Sequence, residues 1–158
     1  MITKELYRRY LNILYEELVP AMGCTEPIAI AYAAAKAKEI LGCMPARAEV
    51  GVSGNIVKNA KSVVVPHTGG LRGIRAALAA GLVAGDANRQ LQVISGISAG
   101  QYKKIGRFAE DFPAEITVPD DAEIFDIRVR LFGGGHTSLL RLAGGQTNIM
   151  RTARDGGI

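Results

Sequence analysis

Cys24 lies in Ala21-Met22-Gly23-Cys24-Thr25-Glu26-Pro27, a polar break between two apolar segments. A thiol just ahead of a helix meets that helix's unpaired first amides. Their partial positive charge favours the thiolate, which is the form that attacks, takes up protons or binds metal. Glu26 beside it opposes that effect. The alternative is a packed structural cysteine. The other cysteine, Cys43, follows Gly42 and precedes Met44 and Pro45, and reads as core filler. Two cysteines without close spacing cannot by themselves make a Cys-rich metal site.

Asn55, Lys58 and Asn59 form a second polar cluster, set between apolar runs. Amide and ammonium groups so close are costly to bury without partners. They suit the carboxylate and amino group of a small amino acid. Lys58 also opens a different enzyme class, a Schiff-base lysine for pyridoxal phosphate. A solvated loop is the plain alternative. His67-Thr68-Gly69-Gly70 precedes a helix, where glycine amides and a hydroxyl can receive a carboxylate or phosphate. His67 and His136 are the only histidines and form no closely spaced pair, which argues against a zinc hydrolase. Gly133-Gly134-Gly135 lacks the Lys-Ser/Thr of a phosphate loop and joins strands.

The elements that must position these groups follow from periodicity. Leu6, Tyr10, Leu11, Leu14 and Leu18 share a helical face over residues 4–19, and Pro20 ends that helix. Thr25 is an N-cap candidate for a second, alanine-rich helix reaching Leu41, with Glu26 at the positive end of its dipole and Gly42 as C-cap. Residues 46–52 read as a strand and 53–59 as a polar turn or short helix. Residues 62–65 read as a further short strand or extended run stopped by Pro66. A helix over 71–84 carries Gly73, Ala77 and Gly81 as a small-residue stripe, and a helix over 91–108 is interrupted by Gly96 and Gly100. From Pro113 the pattern becomes β, with strands over 114–118, 124–131, 139–143 and 147–152 forming an antiparallel meander. Gly134-Gly135-His136-Thr137 and Gly144-Gly145-Gln146-Thr147 read as two glycine-rich features of that meander. Asp155-Gly156 signals a turn towards another strand. The expected fold is α+β in one domain over 1–158, mainly helical to 112 and mainly β from 113 to 158. It reads as the amino-terminal portion of a longer enzyme.

Bulk properties narrow the partners. The chain has 158 residues, 48 % hydrophobic and 22 % charged, enough to bury a core without disulfides. Net charge is +4, basic residues are scattered, and there is no Trp. That excludes a nucleic-acid platform, which needs clustered charge and stacking groups. No apolar run approaches the roughly 20 residues of a membrane span, and the charged residues among the first twenty leave no apolar core of a signal peptide there. Scarce cysteine fits a reducing cytoplasm.

Four blocks taken in order resemble a known family. Pro20-Ala21-Met22-Gly23-Cys24-Thr25-Glu26-Pro27 resembles the amino-terminal signature of the L-cysteine desulfidase family, which is related to the iron–sulfur L-serine dehydratase α-chain. Ser53-Gly54-Asn55-Ile56-Val57-Lys58-Asn59 is similar to its next block, Val64-Val65-Pro66-His67-Thr68-Gly69 to its Pro-x-Thr-Gly loop, and Gly144-Gly145-Gln146-Thr147-Asn148-Ile149 to its Gly-x-His-Thr-Asn-Ile strand. Gln146 stands where the family has His, and His67 where it has a small residue. The resemblance implies a cytoplasmic β-eliminating lyase that converts L-cysteine to pyruvate, ammonia and sulfide, or L-serine to pyruvate and ammonia. Cys24 and Glu26 would be catalytic, with Cys24 also a ligand or base facing a 4Fe-4S cluster. Thr25, Asn55, Lys58, Asn59, Thr68, Thr147 and Asn148 would bind substrate. The remaining cluster cysteines would come from a missing carboxy-terminal domain or a separate cluster-bearing subunit, in a homo-oligomer. This chain alone would then hold no cluster and be inactive. A pyridoxal-phosphate enzyme and a non-catalytic binding or assembly module are the competing expectations.

Overall fold

The computed structural model describes residues 25–156, together with Lys4. The helix expected over 4–19 and Cys24 lie outside the described residues. The first described helix, α1 (Thr25–Leu41), is apolar on all sides from Pro27 to Ala35 and carries Lys36, Lys38 and Glu39 towards its end. Ile28 to Ala35, Ala37 and Leu41 are all buried, so α1 is a central helix and not a surface one. Its alanines keep it thin. Gly42 ends it in the left-handed region (φ 84°), with its N–H on the Lys38 carbonyl at 2.9 Å.

Strand β1 (Arg47–Val52) and the short helix α2 (Gly54–Ala60) come next. Helix α3 (Gly73–Ala84) and helix α4 (Tyr102–Asp111) follow, with 3₁₀ turns at Ala87–Gln92 and Ala99–Gln101 between them. Strands β2 (Ala114–Thr117), β3 (Asp126–Gly133), β4 (His136–Ala143) and β5 (Ile149–Arg154) complete the chain. One five-stranded sheet has the order β2-β1-β3-β4-β5. The architecture is α+β, with amino-terminal helices and a carboxy-terminal meander formed by β3, β4 and β5.

The sheet alternates as the sequence suggests. Ile127, Val129 and Leu131 of β3 and Leu140 and Leu142 of β4 point to the core, where α1 covers them. Ser138 ties the layers together, its hydroxyl donating to the Ala37 carbonyl at 2.8 Å. Helix α3 runs parallel to α1. A side chain at Gly81 would strike the Ala31 carbonyl oxygen, and one at Gly85 would meet the Ala35 methyl. The small-residue stripe thus brings two backbones together, and Gly73 and Ala77 are buried with it. Helix α4 packs on α3 through Phe108 and Phe112, whose rings stack 4.6 Å apart. No helix among the described residues is long and apolar enough to cross a membrane.

Five expectations are corrected. Residues 114–117 are not part of the meander: β2 lies parallel to β1 at the sheet edge, because the helices between them form a crossover connection. Of the short strand or extended run expected over 62–65, the strand does not form: Val64 makes a single bridge to Arg72. Pro66 lacks an N–H to extend it, and His67 turns the chain at φ 60°. The helix over 91–108 is broken. Gln90 is non-helical, and the Gln101 side chain accepts from the Ser98 N–H (3.1 Å) to restart the chain as α4. Its apolar residues Val93, Ile94 and Ile97 are still buried, which is why the periodicity looked helical. Thr25 stands as the first residue of α1 and not as its flanking cap. Cys43 is exposed and not core filler, because Gly42 carries the chain outward past the helix end.

Candidate functional site

The end of β1 sets the position of the polar cluster. Ser53 is buried, its N–H donating to the Asp126 carbonyl (3.0 Å) and its hydroxyl to that of Ile124 (2.8 Å). This anchor fixes the start of α2. Ile56 and Ala60 face inward, so Asn55, Lys58 and Asn59, at helical spacing of three and four, share the outward face. All three are exposed. Asn55 and Lys58 have no hydrogen-bond partner among the described residues. Asn59 Nδ2 donates to Glu26 Oε1 at 3.5 Å, linking α2 to the first turn of α1.

Glu26 is half-buried where the α1 amides concentrate positive potential. The turn after β4 arrives at the same end of the sheet. Gly144 N–H donates to the Phe125 carbonyl (3.2 Å), beside the Ile124 and Asp126 carbonyls that hold Ser53. In that turn Asn148 Nδ2 donates to the Ala143 carbonyl at 2.9 Å, so its amide shapes the turn, while Thr147 is exposed. Three of the four sequence blocks therefore meet at one end of the sheet.

Thr68 is different. It is buried, its hydroxyl donates to the Val65 carbonyl (2.7 Å), and it accepts from the Leu71 N–H (3.2 Å). Those bonds pin the loop that leads to α3, which starts against the end of α2 at the Lys61 carbonyl. Cys24 and the Thr25 side chain are not among the groups described.

The same observations test a 4Fe-4S cluster. Among the described residues no group of three or more His, Cys, Asp or Glu side chains could hold a metal. The chain has two cysteines, and Cys43 lies beyond the far end of the 17-residue α1, about 25 Å of helix from Thr25. The residues of this chain do not by themselves fit the cluster.

A charged network on the outer face of the sheet was not foreseen. Register places Arg128, Arg141 and Arg151 side by side on β3, β4 and β5. Like charges opposite one another repel. Asp126, whose side chain is 0 % exposed, resolves this by accepting from Arg141 (3.1 and 2.8 Å) and from Arg128 (3.3 and 3.1 Å). Burial pushes the Asp126 carboxyl pKa up, but the hydrogen bonds from Arg141 and Arg128 outweigh it and hold the pKa below its ordinary value. The one cue in the sequence was an Asp opening a strand whose outward residues are Arg. At the other end of the sheet, Asp155 accepts from His136 Nδ1 (2.9 Å) and from the Thr137 N–H (3.0 Å). The Thr137 amide and then His136 lower its pKa.

No family model matches the chain, and no solved structure matches it. Among curated proteins it is 47 % identical to a UPF0597 protein of Desulfitobacterium hafniense (strain Y51) over 152 residues, which is 96 % of this chain and 35 % of that one. It is 44 % identical over 151 residues to a UPF0597 protein of Lachnoclostridium phytofermentans, covering 96 % and 36 % of the two chains. The corresponding protein of Fusobacterium nucleatum is 43 % identical over 148 residues, 93 % and 34 %. The chain spans about a third of the length of these curated relatives and is similar to one stretch of each.

Proposed function

We propose that this chain is the amino-terminal part of an amino-acid β-eliminating lyase acting on L-cysteine or L-serine. The observation that carries the reading is the convergence of Glu26, the Asn55–Lys58–Asn59 face and the 144–148 turn at one end of the sheet. In this reading the Lys58 ammonium binds the substrate carboxylate. Asn55 and Asn59 orient the amino group, and Cys24, next to Thr25 in sequence, takes the α-proton. The exposure of Lys58 favours this role over a Schiff-base lysine, which needs an enclosed, desolvated amine. The ligands of a 4Fe-4S cluster come from protein beyond this chain, in keeping with relatives about three times as long.

The test uses the full-length Desulfitobacterium hafniense relative, purified and reconstituted with iron and sulfide without oxygen. Pyruvate is expected from L-cysteine or L-serine, and none from the 158-residue chain alone. With Lys58→Met introduced at the matching position of that relative, KM is expected to rise about 10- to 100-fold, the worth of one hydrogen bond to a charged group. A reconstituted, cluster-bearing protein that forms no pyruvate from either amino acid sinks the proposal.

A further inference from the structure

The outer face of the sheet, opposite α1, carries five arginines, and their pairing is uneven. Arg47 pairs with Glu49 (3.3 Å) and lies 3.6 Å over the Phe132 ring. Arg128 and Arg141 are held by Asp126, and Arg128 also by Asp121 at 3.0 Å. Arg130 and Arg151 have no hydrogen bond or ion pair among the described residues.

These two are also neighbours. Arg130 is directly across from Leu139, which is across from Ala153, and Arg151 lies two positions before Ala153 on β5. Together with Thr137 and Gly156 they line a shallow depression with room of about 70 Å³. Its floor is apolar, from Leu139 and Ala153, and its rim offers two guanidinium forks and a hydroxyl. Glu49, directly across from Arg130 on β1, is paired with Arg47, and Asp155, beside Gly156, is engaged by His136 and the Thr137 N–H. An arginine fork matches an oxyanion bidentately.

We propose that the depression between Arg130 and Arg151 is a binding site for a small oxyanion, a carboxylate or phosphate carried on a short apolar body. The site is on the face away from the α1–α2 cluster and does not depend on the lyase reading. The guanidinium groups take the oxyanion, Thr137 donates a further hydrogen bond, and Leu139 and Ala153 receive the apolar part.

The experiment titrates the isotope-labelled chain with inorganic phosphate and, separately, with butyrate, following backbone amide shifts in about 0.1 M salt, where long-range attraction is screened. Saturable shifts at Thr137, Leu139 and Ala153 are expected, with Kd at or below about 1 mM for the better anion, and the tighter of the two names the ligand class. Arg130→Gln and Arg151→Gln are each expected to weaken binding about tenfold. Arg47→Gln, outside the depression, leaves it unchanged. Shifts that never saturate, that spread equally to Arg47 and Arg128, or that survive both variants overturn the proposal. So does the absence of binding to either anion, which would leave the face to an acidic protein surface.

Discussion

Two polar regions of this molecule are built on opposite plans. On the outer face of the sheet, Asp126 is wholly buried and each of its oxygens accepts from arginines. At the α1–α2 end, Asn55 and Lys58 project from a seven-residue helix with no partner among the described residues. The first arrangement is closed: Asp126 supplies the counter-charge to Arg128 and Arg141 and lets those two stand side by side. The second is open, and groups that the fold does not use are available to a ligand. Polar residues alone do not mark a site; polar residues left unpaired by a fold that pairs its others do. Arg130 and Arg151 follow the second plan while sitting on the same face as Asp126.

The sharpest way to break the comparison is at Asp126. Asp126→Asn leaves Arg141 beside Arg151 without a counter-charge and Arg128 with only the exposed Asp121. It is expected to cost about 3 kcal/mol, the low end for a broken buried pair because the guanidiniums are 23 % and 26 % exposed. Chemical denaturation measures it, and a loss under about 1 kcal/mol would show the network to be ornamental. Acid should reproduce the effect. The folded-state pKa of Asp126 is depressed, so its contribution is complete above the unfolded value of about 3.9 and is lost as pH falls through the lower folded value. The stability of the wild type should therefore fall more steeply than that of Asp126→Asn below about pH 4.

Next in size is Gly81→Ala. The added methyl meets the Ala31 carbonyl, and backbone can move only by parting α1 from α3. About 2 kcal/mol is expected, from the shift in denaturation midpoint at unchanged slope. This pairing also underlies the open site, because α1 presents Glu26 to α2. On the proposed lyase reading, a full-length relative carrying the same change loses affinity for L-cysteine or L-serine together with stability.

Thr68 tests whether the family resemblance assigns roles correctly. Its hydroxyl is engaged twice within its own loop. Thr68→Val is therefore expected to destabilise the chain by about 1–2 kcal/mol by leaving the Val65 carbonyl and the Leu71 N–H unpaired. An unchanged melting temperature with a raised KM would return Thr68 to the substrate site.

How far the sequence could be read follows the same division. Local patterns were legible: the alternation of Ile127, Val129 and Leu131 with Arg128 and Arg130, the Gly42 helix stop and the small stripe of α3 each come from chemistry within a few residues. Long-range pairing was not. Nothing near residues 114–117 states that they lie beside Ala48 to Gly51, and nothing near Asp126 announces Arg141, fifteen residues on. The polar face of α2 was visible as a cluster. Its meeting with Glu26 depends on the buried Ser53 anchor, whose partners Ile124 and Asp126 are some seventy residues away. Arg130 and Arg151 were visible as outward strand residues, but only register shows that they share a depression.

The smallest expected effect is the most informative for the open region. Lys58→Met removes a charge from an exposed position with no partner among the described residues, so stability should stay within about 0.5 kcal/mol of wild type. Burial of Ile56 and Ala60, which holds α2 in place, is untouched. The same exchange in a full-length relative should still weaken amino-acid binding, because the ammonium is then missing from a ligand and not from the fold. Thermal melts of the chain and KM of the relative together decide it. A stability loss comparable to that of Asp126→Asn would mean that Lys58 belongs to a closed network after all, and the contrast between the two regions would fall.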